Sequence, residues 1–240
     1  MKIAIIGYGK MGQEVEKAAI ARNHQIISII DQDDQWVKFA DEISKADVAI
    51  EFSTPSAVYN NIRNAFNNNL PIIVGTTGWK DRLQEIKILC QKMDQSILYS
   101  SNFSIGVNLF FELNCKLAKL MKDFPDYDVN IEETHHTAKL DSPSGTAIKL
   151  ADDILKIVKS KSKWVNSEDG EESEELQIES KRISNTPGTH VVTYDSKIDS
   201  IEIKHIAHNR KGFAQGAILA AEWIFDKKGV YTMRDVLNFK

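Results

Sequence analysis

The chain has only two cysteines among its 240 residues, Cys90 and Cys115. Neither sits in a CxxC or Cys/His spacing, which leaves no framework for a disulfide-stapled fold or a structural zinc site. Reduced thiols, no metal centre and a cytoplasmic location are therefore expected. Basic excess is missing as well: 30 Lys and Arg stand against 34 Asp and Glu, a formal net charge of −4. That excludes the basic face expected of a nucleic-acid binder. No apolar run approaches the length needed to cross a bilayer. Met1 leads directly into a buried-strand pattern, so no signal peptide is expected either. Internal repeats and low-complexity tracts are also lacking. What remains, 42% hydrophobic and 27% charged residues, is the composition of an ordinary soluble globular protein. Its length suits one large domain or two small ones.

Strand and helix patterns alternate over the first hundred residues. Lys2-Ile3-Ala4-Ile5-Ile6 is a short β-branched run ended by glycine, as suits a strand buried on both faces. A helix is predicted from about Lys10 to Arg22 and a second strand from Gln25 to Asp31. Further strands follow at Asp47 to Phe52, Leu70 to Val74 and Ser96 to Tyr99, separated by helices near Ser56–Asn68 and Asp81–Met93. This alternation indicates a Rossmann-type, doubly wound parallel sheet. The pattern then changes to an α+β type. A helix from Gly106 to Lys122, a strand from Asp128 to His136 and a helix from Ser144 to Val158 precede a polar stretch at 160–175. There Glu168, Asp169, Glu171, Glu172, Glu174 and Glu175 suggest a solvated loop. Glu175–Ile183, His190–Tyr194 and Ser200–His208 follow without intervening helices and are expected to pair antiparallel, giving a mainly antiparallel sheet. A last helix, Lys211–Phe225, returns to the first domain. The expected division is 1–102 with 210–240 for dinucleotide binding, and 103–209 for substrate binding and oligomerisation.

Gly7-Tyr8-Gly9-Lys10-Met11-Gly12 places a GxGxxG turn directly after the first strand and at the start of a helix. Its glycines allow a tight turn and close approach of a pyrophosphate, and the helix dipole favours the phosphates. Asp31 ends the second strand about 20 residues on, where a ribose-binding carboxylate belongs. Phe52, Ser53, Gly75, Thr76 and Thr77 follow other strands at their carboxyl ends, the edge at which open α/β sheets bind ligands. In the second domain, His135, His136 and Lys139 can each carry or donate a proton once tuned by their surroundings. The Ser142-Pro143-Ser144-Gly145-Thr146 run behind them reads as a helix start favouring an anion. Proton donors beside an anion cradle point to a small carboxylate undergoing proton-coupled chemistry.

Taken together, the glycine turn, Gly75-Thr76-Thr77-Gly78, Ser101-Asn102-Phe103-Ser104-Ile105-Gly106, the Glu133-to-Ala147 segment and His208-Asn209-Arg210 with Phe213-to-Ala217 resemble the 4-hydroxy-tetrahydrodipicolinate reductase (dihydrodipicolinate reductase) family. The resemblance runs almost end to end. It implies hydride transfer from NADH or NADPH to a cyclic imine dicarboxylate in diaminopimelate and lysine biosynthesis, by a homotetramer; Asp31 makes NADH the expected preference, with NADPH also accepted. It further implies that His135 is the acid/base and Lys139 the proton donor, and that His136, Lys139, Gly145 and Thr146 hold the substrate carboxylates. Gly7, Lys10, Met11, Gly12, Asp31, Gly75, Thr77, Ser101, Phe103 and Arg210 would then lie at the cofactor; Gly9, Phe52, Ser53 and Thr76 join them from the turn and strand-end reading. Two features depart from the family pattern. Asp31 is followed by Gln32-Asp33-Asp34 rather than a basic residue, and the segment from Arg182 to His190 lacks an expected glycine pair, leaving those two residues unassigned. An aspartate- or homoserine-dehydrogenase-type enzyme shares the glycine turn but does not call for the histidine–lysine cluster. A non-catalytic dinucleotide sensor would need no titratable groups in its second domain.

Overall fold

The computed structural model describes residues 1–166, 173–209 and 211–239. Glu168, Asp169, Glu171 and Glu172 of the acidic stretch, and Arg210, lie outside the described residues. The chain divides into two compact units, Met1–Asn108 with Lys211–Lys240, and Leu109–Arg210.

The first unit is built on the strands β1 (Lys2–Ile6), β2 (Gln25–Ile30), β3 (Val48–Glu51), β4 (Ile72–Val74) and β5 (Ser96–Tyr99). Helix α1 (Lys10–Ala21) joins the first two, and short helices α2 (Gln35–Lys38) and α3 (Ala40–Ile43) precede β3. Helix α4 (Val58–Asn67) precedes β4, and a 3-10 turn (Lys80–Arg82) with α5 (Leu83–Lys92) precedes β5. Alternation along these strands sorts side chains onto two faces. Ala4, Ile6, Ala49, Ile72, Val74 and Ile97 pack beneath α4 and α5. Ile3, Ile5, Val48, Ile50, Ile73 and Leu98 pack against α1 and a later helix. Burial on both faces is why the strands read as nearly unbroken apolar runs. The short tail after the last long helix supplies a sixth strand, β11 (Gly229–Tyr231), so the parallel sheet runs β11-β5-β4-β3-β1-β2. Its strand carboxyl ends gather the turns described below.

In the second unit, α6 (Ile105–Met121), which begins in the first, leads to β6 (Asp128–His135), α7 (Gly145–Leu155), β7 (Lys163–Asn166), β8 (Glu175–Arg182), β9 (Gly188–Asp195) and β10 (Ser200–Ala207). The chain then returns through α8 (Lys211–Ile224), β11 (Gly229–Tyr231) and α9 (Met233–Val236) to the first unit. Phe110, Ala118, Leu150, Ala151 and Ile154 from α6 and α7 cover one sheet face, formed by Val129, Ile131, Leu176, Ile178, Val192 and Tyr194.

Two details differ from the sequence reading. The sheet is mixed, in the order β10-β9-β6-β8-β7: β9 and β10 pair antiparallel, but β8 runs parallel to both β6 and β7. The crossover through α7 brings β7 back parallel to β6, β8 then enters between these two, and β9 takes the other edge of β6. The nominal loop at 160–175 also contains β7. Only four residues long, it is carried by its edge pairing with β8 and by Trp164 packing on the core.

Candidate active site

In the first unit the glycine turn is set by backbone crowding. Gly7 has φ +84°, and a Cβ there would lie 2.4 Å from Phe52 O; a Cβ on Gly12 would lie 2.2 Å from Gly7 O. These two positions therefore demand glycine. Gly9 has nothing within 4 Å of its Cβ position. It precedes α1 without a side-chain cap, the arrangement that leaves a helix start able to accept a phosphate. Gly9, Lys10, Met11, Phe52, Ser53, Gly75, Thr76 and Thr77 together line an open cleft of about 440 Å³. Among these, Ser53 N–H donates to Thr76 Oγ1 at 2.8 Å, tying the end of β3 to the end of β4.

Asp31 lies beside the same turn: its Oδ1 accepts Tyr8 N–H at 2.8 Å, and Gln35 Oε1 accepts the Asp31 and Gln32 amides at 2.6 and 3.1 Å. Ser101 lines a separate small depression with Thr76, Thr77 and Tyr99. Phe103 is 1% exposed, with its ring edge-on to Phe52 at 5.9 Å. Its side chain supports the cleft wall from behind instead of facing the opening. A dinucleotide fits this residue set: uncapped amides, a close-packed glycine turn and a carboxylate at the end of β2.

The second unit gathers a denser cluster. Alternation along β6 puts Glu133 and His135 on one face, and register sets Glu133 opposite Ser180 and His190, and His135 opposite Arg182. Glu133 is fully buried. Its Oε1 accepts Ser144 N–H at 3.0 Å, Ser180 Oγ at 2.9 Å and Arg182 Nη2 at 3.2 Å, while Oε2 lies 2.9 Å from His135 Nδ1. Burial alone would raise its pKa, but hydrogen bonds from His135, Ser144 and Ser180 hold it well below the usual carboxylate range. His190 Nε2 lies 3.2 Å from Ser144 Oγ, and its ring meets the His135 ring edge-on at 5.1 Å. Burial, with repulsion from His135, pushes the His190 pKa down to about 3, so this imidazole is neutral. The ligand atoms of Glu133, His135 and His190 all lie within 4.8 Å of one another. Arg182 already sets a cation at that carboxylate, so the donor set reads as a hydrogen-bonded ion cluster.

Beyond β6 the chain turns tightly, with Lys139 N–H donating to His136 O at 3.1 Å. Lys139 Nζ holds both oxygens of Asp141, at 2.7 and 2.8 Å, and Arg182 Nη2 binds Asp141 O at 2.7 Å. Arg182 thereby joins the His135 cluster to the Lys139 loop. Ser144 caps α7 by accepting Ala147 N–H at 3.2 Å, and the amides of Gly145 and Thr146 are not taken by that cap. Gly145 is exposed, with nothing within 4 Å of its Cβ position, and His136 and Thr146 are half-buried. An imidazole on a buried carboxylate, a lysine already chelating a carboxylate and two helix-start amides can bind a dicarboxylate and move a proton. Sequence reasoning named most of these residues. It passed over Glu133, Ser144 and Ser180 as partners; the i, i+2 spacing of Glu133 and His135 was the signal available.

Both units match family models. Residues 1–103 match the dihydrodipicolinate reductase N-terminus and residues 106–237 its C-terminus. The chain is 49% identical over 238 residues to 4-hydroxy-tetrahydrodipicolinate reductase of Christiangramia forsetii, covering 99% of this chain and 98% of that one. It is 39% identical over 199 residues to the enzyme of the same name from Methanosarcina barkeri, covering 81% and 74% of the two chains. A solved structure, dipicolinate-bound dihydrodipicolinate reductase from Paenisporosarcina sp. TG-14, superposes with a TM-score of 0.77 at 25% identity over 97% of both chains.

Proposed function

The chain belongs to the dihydrodipicolinate reductase family, and from that premise we propose how its residues perform the family's reaction. It is a dinucleotide-dependent oxidoreductase that reduces a cyclic imine dicarboxylate to tetrahydrodipicolinate in diaminopimelate and lysine biosynthesis. The dehydrogenase and sensor alternatives fall with the matches on both units. The observation that carries the residue assignment is the Glu133–His135 pair joined through Arg182 to the Lys139 loop.

The bound dinucleotide supplies the hydride. Gly7, Gly9 and Gly12 shape the turn that admits its pyrophosphate, with Lys10 and Met11 beside it, and Asp31 accepts hydrogen bonds from a ribose. Phe52, Ser53, Gly75, Thr76 and Thr77 form the rest of the wall, Phe103 braces it, and Ser101 reaches the cofactor from the adjoining depression that it shares with Thr76 and Thr77. Asp31, with Asp33 and Asp34 close in sequence, favours NADH over NADPH because a 2′-phosphate adds charge of the same sign. In the second unit His136, Lys139 and the Gly145 and Thr146 amides hold the two carboxylates. Electron density that moves onto the ring nitrogen during reduction is met by a proton from Lys139, with His135 as its acid/base partner. Glu133 fixes His135 by binding Nδ1, and so directs Nε2 away from itself. Substituting Lys139 and His135 singly and comparing kcat tests these roles.

The sheet face turned away from α6 and α7 carries Asn130, Glu132, Thr134, Lys181 and Thr193, with a Lys181–Glu132 pair at 2.7 Å. We propose that this face serves the assembly of a homotetramer through the sheets. No helix among the described residues is long and apolar enough to cross a membrane, which agrees with action in the cytoplasm.

A further inference from the structure

Glu51, the last residue of β3, is a fully buried acid without a role in the account so far. Its Oε1 accepts Ser53 N–H at 3.1 Å and the Ser53 hydroxyl, with Asn61 Nδ2 at 3.5 Å. Its Oε2 has no partner among the described residues. An ionised carboxylate at such a depth with no cation beside it is costly. Burial pushes the carboxyl pKa up, against opposing hydrogen bonds from Ser53, Thr76 and Asn61.

Its partners lead directly to the cleft. Ser53 lines that cleft and its N–H also donates to Thr76 Oγ1 at 2.8 Å on the next strand end. Asn61 of α4 donates to Ser53 Oγ at 3.1 Å and accepts from Trp36 Nε1 at 3.3 Å. Trp36 follows Gln35, the residue that holds the Asp31 and Gln32 amides. A chain of polar contacts thus runs from the Asp31 loop to the Ser53 and Thr76 turns, with Glu51 at its centre. We propose that Glu51 is a positioning residue for the dinucleotide: its buried carboxyl fixes Ser53, and through the Ser53 amide the Thr76 hydroxyl, in the wall of the cleft. The proposal rests on that cleft being the dinucleotide site.

Titration of the purified full chain with NADH, read by quenching of tryptophan fluorescence without imine substrate, tests it. Glu51→Met keeps the bulk but not the hydrogen bonds, and should weaken NADH binding about tenfold. Its kcat at saturating NADH and its KM for the imine should stay within about twofold of the parent, whereas a general loss of packing would also lower kcat and raise that KM. Glu51→Gln, which preserves an acceptor, should bind NADH within about twofold of the parent. Normal binding by Glu51→Met, or loss in Glu51→Gln as large as in Glu51→Met, overturns the proposal. Should Glu51→Met fail to fold, Ser53→Ala removes only the hydroxyl facing Glu51, and unchanged NADH binding there overturns it equally. Gly9→Val separates this from the site assignment: its Cβ meets no protein atom, yet it should abolish NADH binding. Normal binding by Gly9→Val refutes the cleft itself, whereas its loss beside normal Glu51→Met binding refutes Glu51 alone.

Discussion

Replacing Glu133 with Gln removes one negative charge while keeping shape, and the structure says what that exposes. The carboxyl is fully buried and bonded at 2.9–3.2 Å by Ser144 N–H, Ser180 Oγ, Arg182 Nη2 and His135 Nδ1. Deleting one partner of a buried pair typically costs about 3–5 kcal/mol. The Arg182 side chain retains 22% exposure and recovers some hydration, and the amide still accepts one or two of the bonds. A loss of about 2–3 kcal/mol is therefore expected at pH 7. The pH dependence has a definite sign. Glu133 has a folded-state pKa below its ordinary value of 4.5. Its contribution is fully present above that value and is lost as pH falls toward the folded-state pKa. Urea unfolding of parent and variant at pH 7, and again below pH 4.5, should show a gap that narrows on acidification, because the unfolded parent then takes up a proton on Glu133 that the folded parent does not. A variant as stable as the parent at pH 7, or a gap that widens in acid, would refute this account of the cluster.

Steady-state kinetics with both cofactors at low salt should give NADH the higher kcat/KM by a factor of several, from repulsion of a few kcal/mol before screening between a 2′-phosphate and Asp31 at about 4 Å. Asp31→Ala should narrow the difference, and a clear NADPH preference would contradict the role given to Asp31. Thr146→Val should raise KM for the imine and weaken competitive inhibition by pyridine-2,6-dicarboxylate while leaving NADH affinity near the parent value; equal inhibition of both proteins would place the carboxylate elsewhere. Light scattering behind size exclusion should give four times the 27.1 kDa chain mass, and a monomer would remove the sheet-to-sheet assembly.

The parallel sheet was legible in the sequence because nearly unbroken β-branched runs, buried on both faces, and glycine punctuation are local signals. Gly7, Gly12 and Asp31 could be read for the same reason: their spacing reflects one βαβ unit, and Tyr8 N–H on Asp31 completes it. The pairing of β8 was not legible. Nothing local in Glu175–Arg182 says that β6, some 40 residues earlier, will lie between it and β9. Strand β11 was hidden because Gly-Val-Tyr is too short to signal a strand without β5 beside it. Glu51 and Glu133 illustrate the same limit at the sites: each sits in a strand where an acid reads as solvent-facing, and only tertiary burial turns it into a hydrogen-bond acceptor at the centre of a network. His190 and Arg182 could be named but not assigned, since their meeting point on Glu133 depends on register across three strands.

The central claim is that this chain reduces the cyclic imine with Lys139 as proton donor. It is tested most directly by following NADH absorbance while the substrate is generated in situ from pyruvate and aspartate semialdehyde. The parent should consume NADH only when both precursors and the condensing enzyme are present. Lys139→Ala should bind NADH normally and lose roughly 10²–10⁴-fold in kcat, the scale of a positioned proton donor. No substrate-dependent consumption by the parent, or near-normal turnover by a folded Lys139→Ala protein, would contradict it.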